Sequence, residues 1–333
     1  MGIFKKLIGL VCLIGLLGLG SQVSHSAEII LRYAGNLPLD HHITKGQEMY
    51  ANLINERAKG KVKVEVYPAG QLYTDKDYTK VIPSGAVDMA TVTTDQWTGL
   101  VPGVISLQIP LLYKDREHWW RAMDSEVGET LKKDVEKVGV KLLYWQDYGG
   151  ADLASKFPIR KLEDLKGKRM RGSGETSVKY LKYLGAIPTF LGGGEMYMGL
   201  QRGIVEGLNS GVTSFYDRKI YEVCKYLNIG PPHQLSVFMV LINLKKWNEL
   251  PPDVQKVMME AGREAQEAGR KIALGKEKEC TEKLKEKGMD AYFLPPEETE
   301  RWRKVAVPPA IEEFLKRTGD DGKKLYSLVE KLR

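Results

Sequence analysis

The spacing of apolar and polar positions changes block by block along the chain. Residues 29–34 (IILRYA) form a short apolar run and read as a buried strand. From 43 to 58, Ile43, Met49, Tyr50, Leu53, Ile54 and Ala58 fall near helical spacing. Lys61–Tyr67 then alternates strictly, with Val62, Val64 and Val66 on one side and Lys61, Lys63 and Glu65 on the other. This predicts a half-exposed strand, ended by Pro68-Ala69-Gly70. A strand at 87–92, a helix at 117–138 and an apolar strand at 140–145 follow. A second series begins near residue 155. It predicts strands at 168–171, 187–191, 204–208 and 237–243, and helices at 175–184, 195–201 and 214–226.

This punctuation predicts an α/β protein with mixed, mostly parallel sheets flanked by helices. Two series of similar size, with no sequence repeat between them, suggest two lobes with a ligand cleft between. The expected division is 27–152 plus about 238–280 for the first lobe. The second takes 153–237 plus about 281–333. Between Pro252 and Lys287, Val254, Val257, Met258, Ala261, Ala265, Ala268 and Ile272 step by three or four. Pro251-Pro252 opens this segment and Gly288 closes it. One helix of about 50 Å results, at 1.5 Å per residue, long enough to run along both lobes. Its apolar stripe is an alternative dimer seam, but the polar face is dense in both charge signs. A monomer is expected.

The N-terminus changes the picture from a generic α/β protein to a secreted one. Lys5 and Lys6 precede a charge-free apolar run from Leu7 to Gly20, and small and polar residues follow to Ala27. That order is a secretory signal peptide, expected over residues 1–26, with periplasmic localisation. The run has 14 residues, short of the roughly 20 a membrane span needs, which sets aside an uncleaved anchor. Without Lys5 and Lys6 the chain keeps 48 basic and 43 acidic residues, a net charge of +5. The signs are interspersed and form no basic stripe, so a nucleic-acid partner is not expected. Cys224 and Cys280 fit no zinc or redox spacing and read as two separate buried thiols, with a pairing in an oxidising compartment as the alternative.

Catalytic signatures such as G-x-S-x-G, H-E-x-x-H and C-x-x-C do not occur. An enzyme is not expected, nor a cofactor or a metal. His41-His42 lacks further ligands and reads as polar residues at the start of the first helix. Gly172-Ser173-Gly174 lies between a strand and a helix, the context of a nucleotide-binding turn. The third glycine position is Ser177, and no acidic residue ends a second strand about 20 positions on. A helix starting there still offers free N–H groups and a positive dipole end. Arg171, at the end of the preceding strand, can present a planar fork to a carboxylate. The plainer reading is a surface arginine paired with an acid. Loops after other strands add Asn36, Thr93, Thr94, Trp97 and Tyr148 as ligand-contact candidates, each equally readable as loop or core packing.

Several segments, in order, carry a resemblance. Pro158-Ile159 followed by Glu163-Asp164-Leu165-Lys166-Gly167-Lys168-Arg169-Met170-Arg171 resembles the "PI…EDLKG-K-x-R" segment of TRAP-transporter solute-binding proteins of the DctP family. Leu184-Gly185-Ala186 with Pro188, and Glu195 through Gly207, are similar to that family's "LGA-P…E-Y-ALQ-G-VDG". Tyr67–Leu72, Tyr221-Glu222-Val223 and Leu250–Gln255 also look like family landmarks. The resemblance covers almost the whole mature chain.

It implies a two-lobed receptor that closes on a small organic acid and delivers it to a sodium-coupled TRAP permease in the membrane. It also implies that Arg171 binds the carboxylate. The family's "VDGQEN" asparagine falls on Ser210, with Asn209 beside it. A further basic contact falls on Phe157, and an aromatic stacking position on Gly193. These departures point to a reshaped pocket. The loss of the basic contact at Phe157 leans toward a ligand with one carboxylate and an apolar body. A secreted ligand sensor and a nucleotide-using enzyme are the alternative readings.

Overall fold

The computed structural model describes residues 28–230 and 233–333; the signal segment read over residues 1–26 lies outside them. The first half runs β1 (Ile29–Ala34), α1 (His42–Arg57), β2 (Val62–Tyr67), α2 (Tyr78–Val81), β3 (Met89–Thr93), α3 (Arg116–Asp124), α4 (Glu126–Glu136) and β4 (Val140–Ser155). Next come β5 (Arg169–Gly172), α5 (Glu175–Tyr183), β6 (Ile187–Phe190), α6 (Met196–Gln201), β7 (Gly207–Ser210), α7 (Val212–Asp217) and β8 (Tyr226–Ile229). The chain returns through β9 (Gln234–Asn243), α8 (Leu244–Glu249), α9 (Pro252–Glu286), β10 (Asp290–Phe293) and α10 (Pro296–Lys331).

The strands follow the order β2-β1-β3-β9-β4-β7-β5-β6, with β8 and β10 attached at β4. Pairings of β1 with β2 and β3, of β5 with β6 and β7, and of β8 with β10 are parallel. β4 and β9 run antiparallel to their neighbours. β4 is the shared element. Residues 140–151 pair with β9, and 152–155 continue into pairings with β7 and β8. Sequence patterning stops this strand at 145, because Gln146, Asp147 and the Gly149-Gly150 pair interrupt the apolar run.

Two other elements differ from their patterns. The helix expected over 117–138 breaks at Ser125, whose backbone is extended and whose hydroxyl accepts from Val127 N at 3.2 Å, capping α4. The helix expected over 214–226 stops at Asp217. Lys219 adopts a left-handed φ of 55°, and Tyr226 onward is drawn into β8 by pairing with β10.

The hydrophobic interior divides into a larger pair of clusters and a smaller pair. Trp97, Trp119 and Trp145 fill one side of the first sheet, and Tyr50, Ile54 and Val254 the other. In the smaller pair, Phe215, Leu200 and Leu284 belong to one cluster and Met170, Tyr180 and Trp302 to the other. Each such side chain contributes about 1.5–3 kcal/mol when fully buried. The long amphipathic helix is present as α9, and its stripe serves both lobes: Met258, Ala261 and Ala265 join the first core, Cys280 and Leu284 the second. α10 also touches both, with Trp302 and Ala306 in the second core and Phe314, Leu325 and Val329 in the first. It bends at Gly319, where φ is 60°. Cys224 and Cys280 are free and buried, and burial pushes their thiols up to about 12 and about 11. Among the described residues no helix is long and apolar enough to cross a membrane.

Candidate ligand-binding site

A cavity of about 480 Å³, part of it open to solvent, lies where β4, β5, β7 and β9 meet the loops of the first lobe. Strand ends bring its polar groups together. Arg171 comes from β5, Ser210 from β7, Thr93 from β3, and Asn36 from the loop after β1. Tyr148 reaches it by a different device. The β4–β9 register slips between Asp147 and Gly149, so Tyr148 is the extra residue of a β-bulge. Gly149 absorbs the distortion with φ 110°. Bulges of this kind re-aim a side chain beside a site.

Arg171 is 2 % exposed. Its Nε donates to Leu191 O at 2.8 Å and its Nη1 to Asn209 O at 2.9 Å. Those two carbonyls fix the plane of the fork. Burial pulls its pKa down to about 10, so the side chain stays charged at neutral pH. The plainer expectation of an exposed, acid-paired arginine does not hold: no ion pair among the described residues includes Arg171. The Tyr148 hydroxyl lies 2.9 Å from Ser210 Oγ, donates to Ser214 Oγ at 2.8 Å and accepts from Gly211 N at 3.1 Å. Ser214 Oγ is in turn 3.2 Å from His41 Nε2, and the His41 ring stacks on Tyr148 at 5.5 Å. His41 also caps α1, accepting from Ile43 N at 3.2 Å, as a polar residue at the helix start should.

Three sequence candidates stand outside the cavity lining. Trp97 is wholly buried in the first core. Thr94 turns its hydroxyl to Val237 O at 3.0 Å. Asn209 precedes Ser210 on β7, and strand alternation sends its side chain to the opposite face, toward the carbonyls of Ala151 and Asp152. Its own carbonyl still orients Arg171. The free helix start expected after Gly174 is also taken. Asp95 receives Thr176 N at 2.7 Å and Ser177 Oγ at 2.7 Å, filling that anion position with the protein's own carboxylate.

Residue patterns missed Arg218, Asp75, Gln96, Ser214 and Phe238, all of which line the cavity. Arg218 lay inside an expected helix, so its placement at the end of the shorter α7 had no signal. Phe238 had one: it sits on β9, where alternation places residues on a definite face. Phe157 packs at the edge of the second core, with Lys168 Nζ 4.6 Å from its ring centroid, and takes no part in the cavity.

Residues 33–317 match the model of the bacterial extracellular solute-binding proteins, family 7. The chain belongs to that family. It is 27 % identical to the C4-dicarboxylate-binding periplasmic protein DctP of Rhodobacter capsulatus, over 95 % of both chains. Among solved structures, a TRAP periplasmic solute-binding protein from Desulfovibrio salexigens with bound orotic acid superposes with a TM-score of 0.88. It is 25 % identical, covering 92 % of this chain and 98 % of the other. One from Sulfurospirillum deleyianum with bound succinate gives 0.85 at 29 % identity, covering 92 % and 100 %. The likeness extends over both lobes, and the family's members are solute receptors, not enzymes. In this chain the cavity is lined by Arg171 together with Tyr148, Ser210, Ser214 and Thr93.

Proposed function

We propose that this protein is a periplasmic receptor that captures a small organic acid between its lobes and delivers it to a TRAP membrane permease. Arg171 carries the reading. It is a buried, charged fork with two edges held by backbone carbonyls and no carboxylate partner among the described residues. A buried cation without a partner is destabilising, so its retention is best explained by an anion that arrives with the ligand. Relatives named for dicarboxylate binding, and neighbours holding succinate or orotic acid, support an acid as that anion. Asn36, Thr93, Tyr148 and Ser210 would complete the contacts.

The lobes in this reading follow the two pairs of cores, with β4, α9 and α10 crossing between them. The protein works as a monomer, exported by the signal over residues 1–26. The test is thermal stabilisation by a panel of organic acids, with Arg171→Ala alongside. Stabilisation of the wild type that the variant loses supports the reading; no stabilisation by any acid removes it.

A further inference from the structure

Arg218 is a second cation on the cavity wall. It follows α7, and its Nη2 reaches across the cleft to donate to Asn36 O at 3.2 Å. Its Nε is buried and has no acceptor. Like Arg171, it forms no ion pair among the described residues. The one carboxylate on the same wall, Asp75, accepts instead from Gln96 Nε2 at 3.2 Å and Gly193 N at 3.0 Å.

Gly193 explains how the guanidinium gets in. A Cβ at 193 would lie 3.2 Å from Arg218 Nη2 and 3.6 Å from its Cζ. A side chain at 193 would require the guanidinium to give by a few tenths of an ångström, so the glycine leaves the arginine its room. Burial pulls Arg218 below its ordinary pKa, and the like charge of Arg218 contributes to the same shift at Arg171. The two cations repel each other, the Asp75 carboxylate on the same wall offsets only part of their charge, and an anionic group at each guanidinium would remove the rest.

We propose that Arg218, admitted by Gly193, is a second anion contact, and that the ligand is a compact acid with an anionic oxygen group at each end. This rests on the capture of an acid at Arg171. It reverses the lean toward a single carboxylate, which depended on Phe157 standing at the cavity. Guanidinium bonds to a carboxylate are about twice as strong as bonds to a neutral amide oxygen. Replacing one carboxylate by an amide of the same shape isolates that difference.

The experiment is titration calorimetry with linear dicarboxylates of three to six carbons and the monoamide of each, on wild type, Arg218→Gln and Arg171→Gln. In the wild type at least one diacid should bind roughly 10-fold or more tightly than its monoamide. Arg218→Gln should abolish that preference by weakening the diacid while leaving the monoamide within about 3-fold. Arg171→Gln should abolish binding of both. If Arg218→Gln does not fold, Arg218→Lys keeps the charge but not the fork and should reduce the preference. Equal binding of diacid and monoamide by the wild type, or a preference unchanged in the Arg218 variant, overturns the second contact while the Arg171 reading stands. If no acid of either kind binds the wild type, both fall.

Discussion

Asp95 Oδ1 accepts a hydrogen bond from Thr176 N at 2.7 Å, tying the loop after β3 to the first turn of α5 in the other lobe. The same carboxylate receives the hydroxyls of Ser173 and Ser177 through Oδ2. Gly174 permits the approach, since a Cβ there would sit 2.6 Å from Asp95 Cγ. Asp95 therefore acts as a helix cap delivered across the cleft. Asp95→Ala should cost about 1–2 kcal/mol in urea denaturation, the range of a lost cap. It should also enlarge the ligand-free radius of gyration in small-angle scattering. An unchanged radius would show that the contact does not hold the lobes together.

Arg171→Lys keeps the charge and loses the planar fork. A lysine cannot donate to Leu191 O, Asn209 O and a ligand in one plane. Hydrogen bonds to a charged partner are worth about 1.5–3 kcal/mol, so affinity should fall roughly 10- to 100-fold by calorimetry.

Tyr148→Phe removes the hydroxyl that joins Ser210, Ser214 and Gly211 N. The ring remains packed against Phe238 and His41. The buried groups left unpaired should cost about 1–3 kcal/mol of stability, measured by chemical denaturation. Ligand affinity should fall with it, because Tyr148 and Ser210 both line the cavity.

His233 is wholly buried, near Asn228, Tyr180 and Trp302, and burial pulls it from 6.5 to about 3. The unfolded chain takes the proton first, so this contribution is complete above about pH 6.5 and is lost as pH falls toward 3. Between pH 7 and pH 5 the loss is about 2 kcal/mol. His233→Gln should lose about that much less than the wild type over the same interval, by urea denaturation at the two pH values. His41, His42 and the buried Asp147 and Asp152 remain in both proteins and cancel in the comparison.

Trp302 stacks on His233 at 4.9 Å and is fully buried in the second core. Trp302→Ala should cost about 3–5 kcal/mol, read from the urea midpoint. Because α10 also packs on the first core through Phe314, a coincident loss of signal from both lobes is expected.

Local spacing made the regular elements legible. Strict alternation at Val62, Val64 and Val66 and the three-four stepping of α9 both survive in the fold. The site was legible only in part, because strand-end residues are visible in a sequence but the faces they occupy are not. Arg171 and Ser210 face the cavity, whereas Asn209, one residue away, does not. Tyr148 is aimed by a bulge that depends on pairing with β9, about ninety residues downstream. Arg218 was hidden by an apolar periodicity that β8 overrode. The helix start after Gly174 looked open because its carboxylate comes from a loop about eighty residues earlier.

β4 belongs to both lobes, with one end paired to β9 and the other to β7 and β8. Exchanging one lobe as a cassette between relatives would have to join the chain inside this strand, between residues 151 and 152, where its pairing passes from β9 to β7. Substitutions elsewhere on the cavity wall change ligand preference without touching this shared strand, and a glycine that makes room for an arginine is one such paired change.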